Sequence, residues 1–240
     1  MCTVVFIPDN KKVFFASLRD EDPERARALT PDISITDPIS FLSPKDPLAG
    51  GTWIGANSFG NIIILLNGGF ENHQRANYYR KSRGIIVSEL LAMESPVAAW
   101  KNIDMKDIEP FTLIIWNGKE LVQLVWDGKE KHTIKLNATL PQLWSSATLY
   151  NAEARSQRKA LFQQWINKHP AISKTAVLDF FKTFTHSTNG FIMNRDEKVK
   201  TLSYTTIEID HHIAEMSYYD LLANTDRTRS IMLPGEMKIA

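Results

Sequence analysis

The sequence predicts an α+β fold in which antiparallel sheets are covered by helices. Short runs of β-branched and aromatic residues recur along the chain and are separated by turn residues, a pattern typical of hairpins. Pairs of helical segments interrupt these runs without the strict strand–helix alternation of a parallel sheet. The 240 residues show no internal repeat and no convincing linker, so we expect a single domain over residues 1–240.

The N-terminal part predicts a hairpin over residues 2–19. An apolar run at 4–7 follows Cys2, and a second run at 13–18 follows a polar turn. Residues 23–48 contain five prolines and many Asp and Ser residues. We therefore predict a long connection there with little regular structure.

Tight turns separate the strands that we expect in the middle of the chain. Paired glycines before Thr52 and Trp53 indicate backbone conformations that other residues avoid. The segment Asn117-Gly118-Lys119-Glu120 between two apolar runs is a strong hairpin signal. The strands predicted in this part cover residues 61–66, 111–116, 121–126 and 133–136.

Helix-start signals and helical spacing mark four further segments. Ser95 and Pro96 supply an N-cap and a proline for the first turn, and Ser173 is another candidate N-cap. The predicted helices cover residues 79–93, a segment from 95, 152–168 and 173–184. Additional strands are expected at 146–151, 191–193, 202–210, 213–217 and 231–233.

Composition narrows the class of protein and its surroundings. Hydrophobic residues make up 43% and charged residues 23%, and the formal charge is +1, so the bulk charge favours neither nucleic acid nor a membrane surface. The longest apolar run, at 62–66, is too short to span a bilayer, and the chain starts without a secretory-signal pattern. A single cysteine excludes an intrachain disulfide. We expect a cytoplasmic protein with no membrane span and no nucleic-acid partner.

No metal or cofactor site is expected. His211 and His212 are adjacent, so their side chains point apart on an extended chain, and zinc-ligand spacings are missing. The glycines at 50–55 do not have the spacing of a phosphate-binding loop. The expected partner is a small-molecule substrate or ligand, and the oligomeric state is left open.

Cys2, the only cysteine, directly follows the initiator methionine. Removal of Met1 would leave a thiol and a free α-amine on one residue. Because that amine has an ordinary pKa of about 8, it can act as a general base near neutral pH. The pattern is that of an N-terminal nucleophile. The alternative is that Cys2 is a small buried hydrophobic residue.

Five polar residues are candidates to assist this thiol. Arg19 would lower the thiol pKa if it returned to Cys2, and a carboxylate of Asp20 or Asp22 would hold the α-amine. The alternative is that this charged cluster is a solvated loop. Asn67, after an apolar strand, indicates either a tight turn or an amide donor at a pocket, and Asn151 indicates either a donor or a helix N-cap.

Taken together, several segments resemble the NRDE family, also called the transport and Golgi organisation protein 2 family. The resemblance covers roughly residues 1–155. It implies a branch of the N-terminal nucleophile hydrolases, similar in layout to bile-salt hydrolases and penicillin V acylases, and hence a four-layer αββα sandwich. The matching pieces are Met1-Cys2, Leu18-Arg19-Asp20-Glu21, Ala49-Gly50-Gly51-Thr52-Trp53-Ile54-Gly55, Asn67, Ser82-Arg83-Gly84-Ile85-Ile86-Val87 and Leu149-Tyr150-Asn151.

The resemblance implies hydrolysis of a linear carbon–nitrogen amide bond. Cys2 would be the nucleophile, Arg19 would favour its thiolate, and Asn67 and Asn151 would donate to the oxyanion. The family pattern points to Asp20 for the α-amine, whereas the acylase pattern Arg-x-x-Asp points to Asp22. The alternative function is a non-catalytic binding or trafficking protein for a lipid, acyl or haem-like metabolite on the same scaffold.

The sequence departs from the family pattern at two positions. Leu18 stands where the motif begins with asparagine, and Leu202 stands where a late strand tends to carry arginine. The tetrapeptide at 194–197 spells Asn-Arg-Asp-Glu, but we interpret it as a coincidence in a loop. We expect apolar groups from residues 23–48 and from the strand around Trp53 to line the pocket, which favours acyl amides.

Overall fold

The computed structural model describes residues 3–9, 12–169, 172–184 and 189–234. The strands in these ranges are β1 (Thr3–Asp9), β2 (Lys12–Glu21), β3 (Leu29–Thr36), β4 (Ile39–Lys45), β5 (Ile54–Asn57), β6 (Ile62–Asn67), β7 (Phe111–Trp116), β8 (Leu121–Trp126), β9 (Lys131–Leu136), β10 (Gln142–Ser145), β11 (Asn194–Arg195), β12 (Val199–Asp210), β13 (Ile213–Asp220) and β14 (Thr225–Met232). The helices are α1 (Arg83–Leu91), α2 (Pro96–Ala99), α3 (Ala152–Lys168) and α4 (Lys174–Thr183).

Two antiparallel sheets of seven strands each are formed by the described residues. The first has the order β10-β1-β2-β12-β13-β14, with β11 attached to β12. The second is a meander in which β3 to β9 follow one another in chain order. Helices α3 and α4 pack on the first sheet and α1 packs against β5 and β6 of the second, which gives the predicted α+β, four-layer αββα sandwich.

Alternation along the first hairpin divides its side chains between two hydrophobic layers. Val4, Phe6 and Phe15 face the second sheet, where the ring of Phe15 lies 6.1 Å from that of Trp116. Val5, Ile7 and Leu18 point the opposite way and pack beneath α3 and α4. Neighbouring residues of β2 therefore reach different layers of the molecule.

The register of β2 against β12 fixes the surroundings of the charged motif. Arg19 lies opposite Ser203 and Asp20 lies opposite Thr201, with a register shift at the intervening Leu202. β12 has one extra residue at this point, so each β2 residue still lies on the same face of the sheet as its partner in β12. Residues 19 and 20 are therefore anchored in the middle of the sheet.

The prediction of an irregular connection over residues 23–48 was wrong. This segment contains β3 and β4, which pair from Thr36 and Ile39 back to Leu29 and Lys45. β3 is the edge strand of its sheet and is mostly exposed, so it lacks the apolar pattern of a buried strand. Pro31 lies at a register shift, where the ladder does not need its missing N–H.

Two other predicted strands were also wrong, whereas the helix between them was confirmed. Residues 146–151 form a turn, and the strand of this region, β10, ends at Ser145. The stretch 191–193 is not a strand, and β11 follows it at Asn194. Helix α3 has the predicted bounds. No helix in the described ranges is both long and apolar enough to cross a membrane.

Candidate functional site

A cleft of about 770 Å³ lies where β2, the segment at 46–53, the end of β6 and the start of α1 come together. Arg19 and Asn67, both predicted from the sequence, line this cleft. They are 48 residues apart in the chain and belong to different sheets. The face-to-face packing of the sheets is what brings them to one site.

Arg19 is held in place by an aromatic ring and by carboxylates. Only 4% of the residue is exposed, and its guanidinium carbon lies 5.1 Å from the centre of the Trp53 ring. Nη2 lies 3.5 Å from Asp46 Oδ2 and 3.8 Å from Glu21 Oε2. Arg19 is therefore a fixed, partly neutralised cation in the wall of the cleft and not part of a solvated loop.

Asp46 connects this wall to the glycine-rich segment that follows. Its Oδ1 accepts hydrogen bonds from the backbone N–H groups of Leu48 and Ala49, at 2.9 and 3.0 Å. Its Oδ2 accepts a 2.9 Å bond from Arg25 Nε. Burial alone would raise the pKa of Asp46, but the Ala49 N–H and the Arg25 and Arg19 charges outweigh it and lower that pKa. The Asp-Pro dipeptide at 46–47 is a turn signal that could have indicated this role, but the sequence analysis did not use it.

Replacing Asp46 with asparagine is expected to reduce stability in a pH-dependent way. A depressed native pKa stabilises the fold above the unfolded value of about 4, and this contribution disappears as the pH falls through the native pKa. The difference in the free energy of unfolding between wild type and Asp46→Asn should therefore have its full size at pH 7 and shrink below about pH 4. Urea unfolding at several pH values measures it, with the exposed Asp179→Asn as the charge control. A difference in unfolding free energy that does not depend on pH would contradict the role assigned to the ionised Asp46 carboxylate.

The two candidate aspartates lie elsewhere. Asp20 faces the helix layer, is 3% exposed, and accepts hydrogen bonds from Thr201 Oγ1 at 2.6 Å and Tyr150 Oη at 3.2 Å. Asp22 is exposed, and its Oδ1 accepts a 2.9 Å bond from the Glu24 N–H. Neither belongs to the lining of the cleft formed by the described residues. Glu21, which the sequence reasoning missed, lines it instead because it shares a face with Arg19.

The two asparagines also differ in their surroundings. The Asn67 carbonyl accepts a 2.9 Å bond from Ser146 Oγ, whereas its side-chain amide has no hydrogen-bond partner in the described part of the chain. Asn151 is exposed and caps α3, with Oδ1 accepting from the Ala154 N–H at 2.9 Å. Asn151 lines neither the cleft nor the cavity beside it. The structure thus brings Asn67, and not Asn151, to the wall that Arg19 occupies.

A second cavity, of about 460 Å³, also has Asn67 in its wall. Part of its lining is apolar, and Arg155 and Lys159 of α3 contribute cationic groups. Asn67 is therefore common to a charged cleft and to a smaller, more mixed cavity. The apolar members of this second lining include Leu66, Phe70, Leu136, Trp144 and Ala147.

Close backbone contact places the start of α1 against the cleft. The Thr52 N–H donates to the Gly84 carbonyl at 3.1 Å. A Cβ added to Gly51 would lie 2.2 Å from the Gly84 carbonyl carbon, so only glycine fits at this crossing. Gly51 and the glycine after Arg83, Gly84, thus serve one contact.

The expectation of an apolar lining was wrong, because charged groups dominate the main cleft. Arg83 Nη2 lies 3.1 Å from Glu109 Oε2, and His73 Nε2 lies 3.4 Å from the other oxygen of that carboxylate. Burial lowers the pKa of Arg83, the Glu109 charge opposes this, and the nearby Arg75 charge adds to it. These residues come from distant segments without a shared pattern, so sequence reasoning missed them.

Cys2 lies outside the described residues, and its covalent neighbour Thr3 opens β1. Thr3 is opposite Leu18 on one side and Ser145 on the other. Its Oγ1 accepts a hydrogen bond from Arg158 Nη2, and Arg158 Nε donates to Ser145 Oγ at 2.9 Å. The start of the first strand is therefore fastened to α3 by a buried arginine.

Arg158 is itself enclosed. Its guanidinium carbon lies 4.1 Å from the centre of the Tyr150 ring and 4.2 Å from that of Phe191. Nη1 donates to the carbonyl oxygens of Asn189 and Gly190. A planar guanidinium with five N–H donors can stack between two rings and bond several acceptors at once, whereas the ammonium group of lysine cannot. The described residues contain no cluster of three or more His, Cys, Asp or Glu side chains suited to a metal ion.

Comparison with solved structures identifies the fold. The chain is similar to an N-acylethanolamine-hydrolyzing acid amidase ortholog from Caenorhabditis elegans, with a TM-score of 0.60, 10% identity, and 86% of this chain and 92% of the other covered. It is also similar to an arginine-to-leucine variant of the conjugated bile acid hydrolase from Clostridium perfringens, with a TM-score of 0.50, 10% identity, and coverage of 100% and 91%. At such identities the likeness shows the fold alone, which is that of the N-terminal nucleophile hydrolases.

Sequence comparison identifies the family. No curated protein matches the chain. A family model described as "Transport and Golgi organisation 2" matches residues 1–223. The match extends well past residue 155, to which the recognisable motifs reach. The chain therefore belongs to the transport and Golgi organisation 2 family.

Proposed function

We propose that this protein is an N-terminal nucleophile hydrolase that cleaves a linear carbon–nitrogen amide bond of an acyl amide. The observation that carries the proposal is that Arg19 and Asn67 line one cleft, while Thr3, the residue after Cys2, pairs with Leu18 beside Arg19. The two solved structures compared above are described as hydrolases, one of N-acylethanolamines and one of conjugated bile acids.

The proposed reaction begins after removal of Met1. The Cys2 α-amine takes the thiol proton, the sulfur attacks the amide carbonyl, and the amine returns the proton to the departing nitrogen. Water then hydrolyses the thioester, which releases the acid and restores the thiol. Arg19 favours the thiolate, and its carboxylate partners keep the guanidinium in one position.

The other proposed roles follow from hydrogen-bonding capacity. Asn67 donates to the tetrahedral oxyanion, a contribution of about 3–4 kcal/mol per donor in well-studied enzymes. Asn151 stays in the proposal as a second donor because its cap uses the amide oxygen and leaves Nδ2 to donate. Of the two aspartates, Asp20 suits the α-amine better, because it is buried and oriented by Thr201, whereas Asp22 is exposed.

A binding function is the second candidate. Leu202 occupies the register shift beside Arg19, at the position where the late strand of the family tends to carry arginine. Without that cation, the same cleft would hold a lipid, acyl or haem-like metabolite and not turn it over. This alternative predicts ligand affinity that does not depend on the Cys2 thiol.

The test compares wild type with Cys2→Ala after intact-mass measurement has established that Met1 is absent. Both proteins are incubated with N-acyl amino acids and neutral acyl amides, and the released amine is quantified. Turnover by wild type that is lost in Cys2→Ala is expected, and Lys119→Gln, an exposed change outside the cleft, should retain it. If no amide is hydrolysed while both proteins bind an acyl ligand equally, the hydrolase proposal is wrong and the binding function replaces it.

A further inference from the structure

Basic side chains outnumber carboxylates in the main cleft. Among the described residues of its lining there are five Lys or Arg side chains and three Asp or Glu side chains. An excess of cations in a concave site raises the local concentration of anions. The basic residues are Arg19, Arg25, Arg75, Lys81 and Arg83, and the acidic ones are Glu21, Asp46 and Glu109.

The carboxylates are already engaged. Asp46 lies 2.9 Å from Arg25 Nε, and Glu109 lies 3.1 Å from Arg83 Nη2. Lys81 pairs with Glu89, a residue of α1 outside the lining. No ion pair or hydrogen bond is found for Arg75 within the described ranges. Arg75 is thus the basic group of this cleft that is left for a ligand.

Arg75 and Arg83 also act on one another. The Arg75 charge is among the groups that lower the pKa of the largely buried Arg83. Of these two guanidinium groups, only Arg83 has a carboxylate partner, Glu109, so a bound anion would relieve the repulsion between them. Both groups lie in the lining of the same cleft. Their arrangement is that of a two-arginine clamp for a carboxylate or a phosphate.

The start of α1 is another feature of the wall that favours an acceptor-rich ligand. Ser82 and Gly84 at the start of α1 also line the cleft, where the helix end is electropositive.

We propose that the cleft binds an anionic group on the amine side of the substrate through Arg75 and Arg83, with the acyl chain in the second cavity beyond Asn67. This inference rests on the proposed hydrolase function for the direction of the substrate. The substrate class is then an N-acyl amide whose amine portion carries a carboxylate or a phosphate. Neutral acyl amides are the poorer class.

The experiment measures binding in Cys2→Ala, so that turnover does not interfere. The probes are two matched pairs: N-octanoylglycine against its amide, and N-octanoyl-O-phosphoethanolamine against N-octanoylethanolamine. Titration calorimetry is expected to give about 10-fold tighter binding of the anionic member of at least one pair. The pair that shows the difference identifies the anion as carboxylate or phosphate.

Arg75→Gln, added to Cys2→Ala, should remove most of that preference and leave binding of the neutral member unchanged. Lys119→Gln removes an exposed cation outside the cleft and should preserve it. Equal affinity for both members of each pair, or no effect of Arg75→Gln, would overturn the anion site. Failure to bind any anionic probe at millimolar concentration would also overturn it.

Turnover by proteins that retain Cys2 separates the two proposals. A preference for the anionic probe in Cys2→Ala, without hydrolysis by wild type, refutes the hydrolase and supports the anion site. Hydrolysis of neutral and anionic amides at equal kcat/KM, unchanged by Arg75→Gln, supports the hydrolase and refutes the anion site. Hydrolysis with a KM for the anionic probe that rises about 10-fold in Arg75→Gln supports both.

Discussion

Replacing Arg158 with methionine is expected to lower the free energy of unfolding by at least about 3 kcal/mol, since each buried acceptor left without a donor costs about 1–3 kcal/mol. Arg158 donates to the Thr3 and Ser145 hydroxyls and to two carbonyl oxygens of the loop at 189–190. Methionine fills much of the space between the two rings but supplies none of these hydrogen bonds. Urea unfolding at pH 7 measures the loss.

The matched control is Lys159→Met, at the next position of α3. Lys159 is exposed, so its replacement should change the free energy of unfolding by less than about 0.5 kcal/mol. Arg158→Lys should recover only part of the loss, because one ammonium group cannot reach acceptors on three sides. A loss below about 1 kcal/mol for Arg158→Met would show that the hydroxyls and carbonyls are satisfied without the guanidinium.

Gly51→Ala is expected to destabilise the protein by about 2–3 kcal/mol, because the new methyl group meets backbone and not a movable side chain. Its Cβ would lie 2.2 Å from the Gly84 carbonyl carbon and 2.4 Å from the Ile85 nitrogen. Relief requires the start of α1 to move away from the 49–55 block. Thermal unfolding measures the loss, and binding of the anionic probe should weaken with it.

Gly50→Ala provides the comparison at the adjacent residue. Gly50 has φ +75°, but a Cβ there would meet no heavy atom of the described chain within 4 Å. Its cost is therefore the backbone cost of alanine in the left-handed region, about 1–2 kcal/mol. Gly51→Ala should be the more damaging of the two. The reverse order would mean that backbone conformation, and not the contact with α1, explains the glycine pair.

Local sequence signals predicted the elements that have their own turn or cap chemistry. The hairpin around Asn117-Gly118 was predicted with the observed bounds of β7 and β8, because the four-residue connection at 117–120 carries strong turn residues, among them Gly118 with φ +91°. Helix α3 was predicted fully, because its cap at Asn151 and the proline after its end mark both limits. β3 was missed because an exposed edge strand carries little apolar signal.

The candidate site was predictable only in part. Arg19 and Asn67 follow from motif positions, and the structure places both in one cleft. Asp46, a partner of Arg19, was missed because the packing of the two sheets, and not spacing along the chain, brings it to Arg19. Likewise, Arg75 and Arg83 line one cleft because of the path of the loop before α1, which no periodic pattern reports. Sequence patterns report periodicity and caps, and they do not report such long-range encounters.

The register shift at Leu202 limits which insertions and deletions the protein can tolerate during evolution. Arg19 and Asp20 reach opposite layers because successive side chains of β2 point to opposite faces of the sheet. A gain or loss of one residue inside β2 would therefore exchange the faces on which the two side chains lie. Loss of Leu202 would likewise move Thr201 off the face from which it binds Asp20. Natural length variation in β2 and the facing part of β12 should therefore occur in steps of two residues, or as matched single changes in both strands.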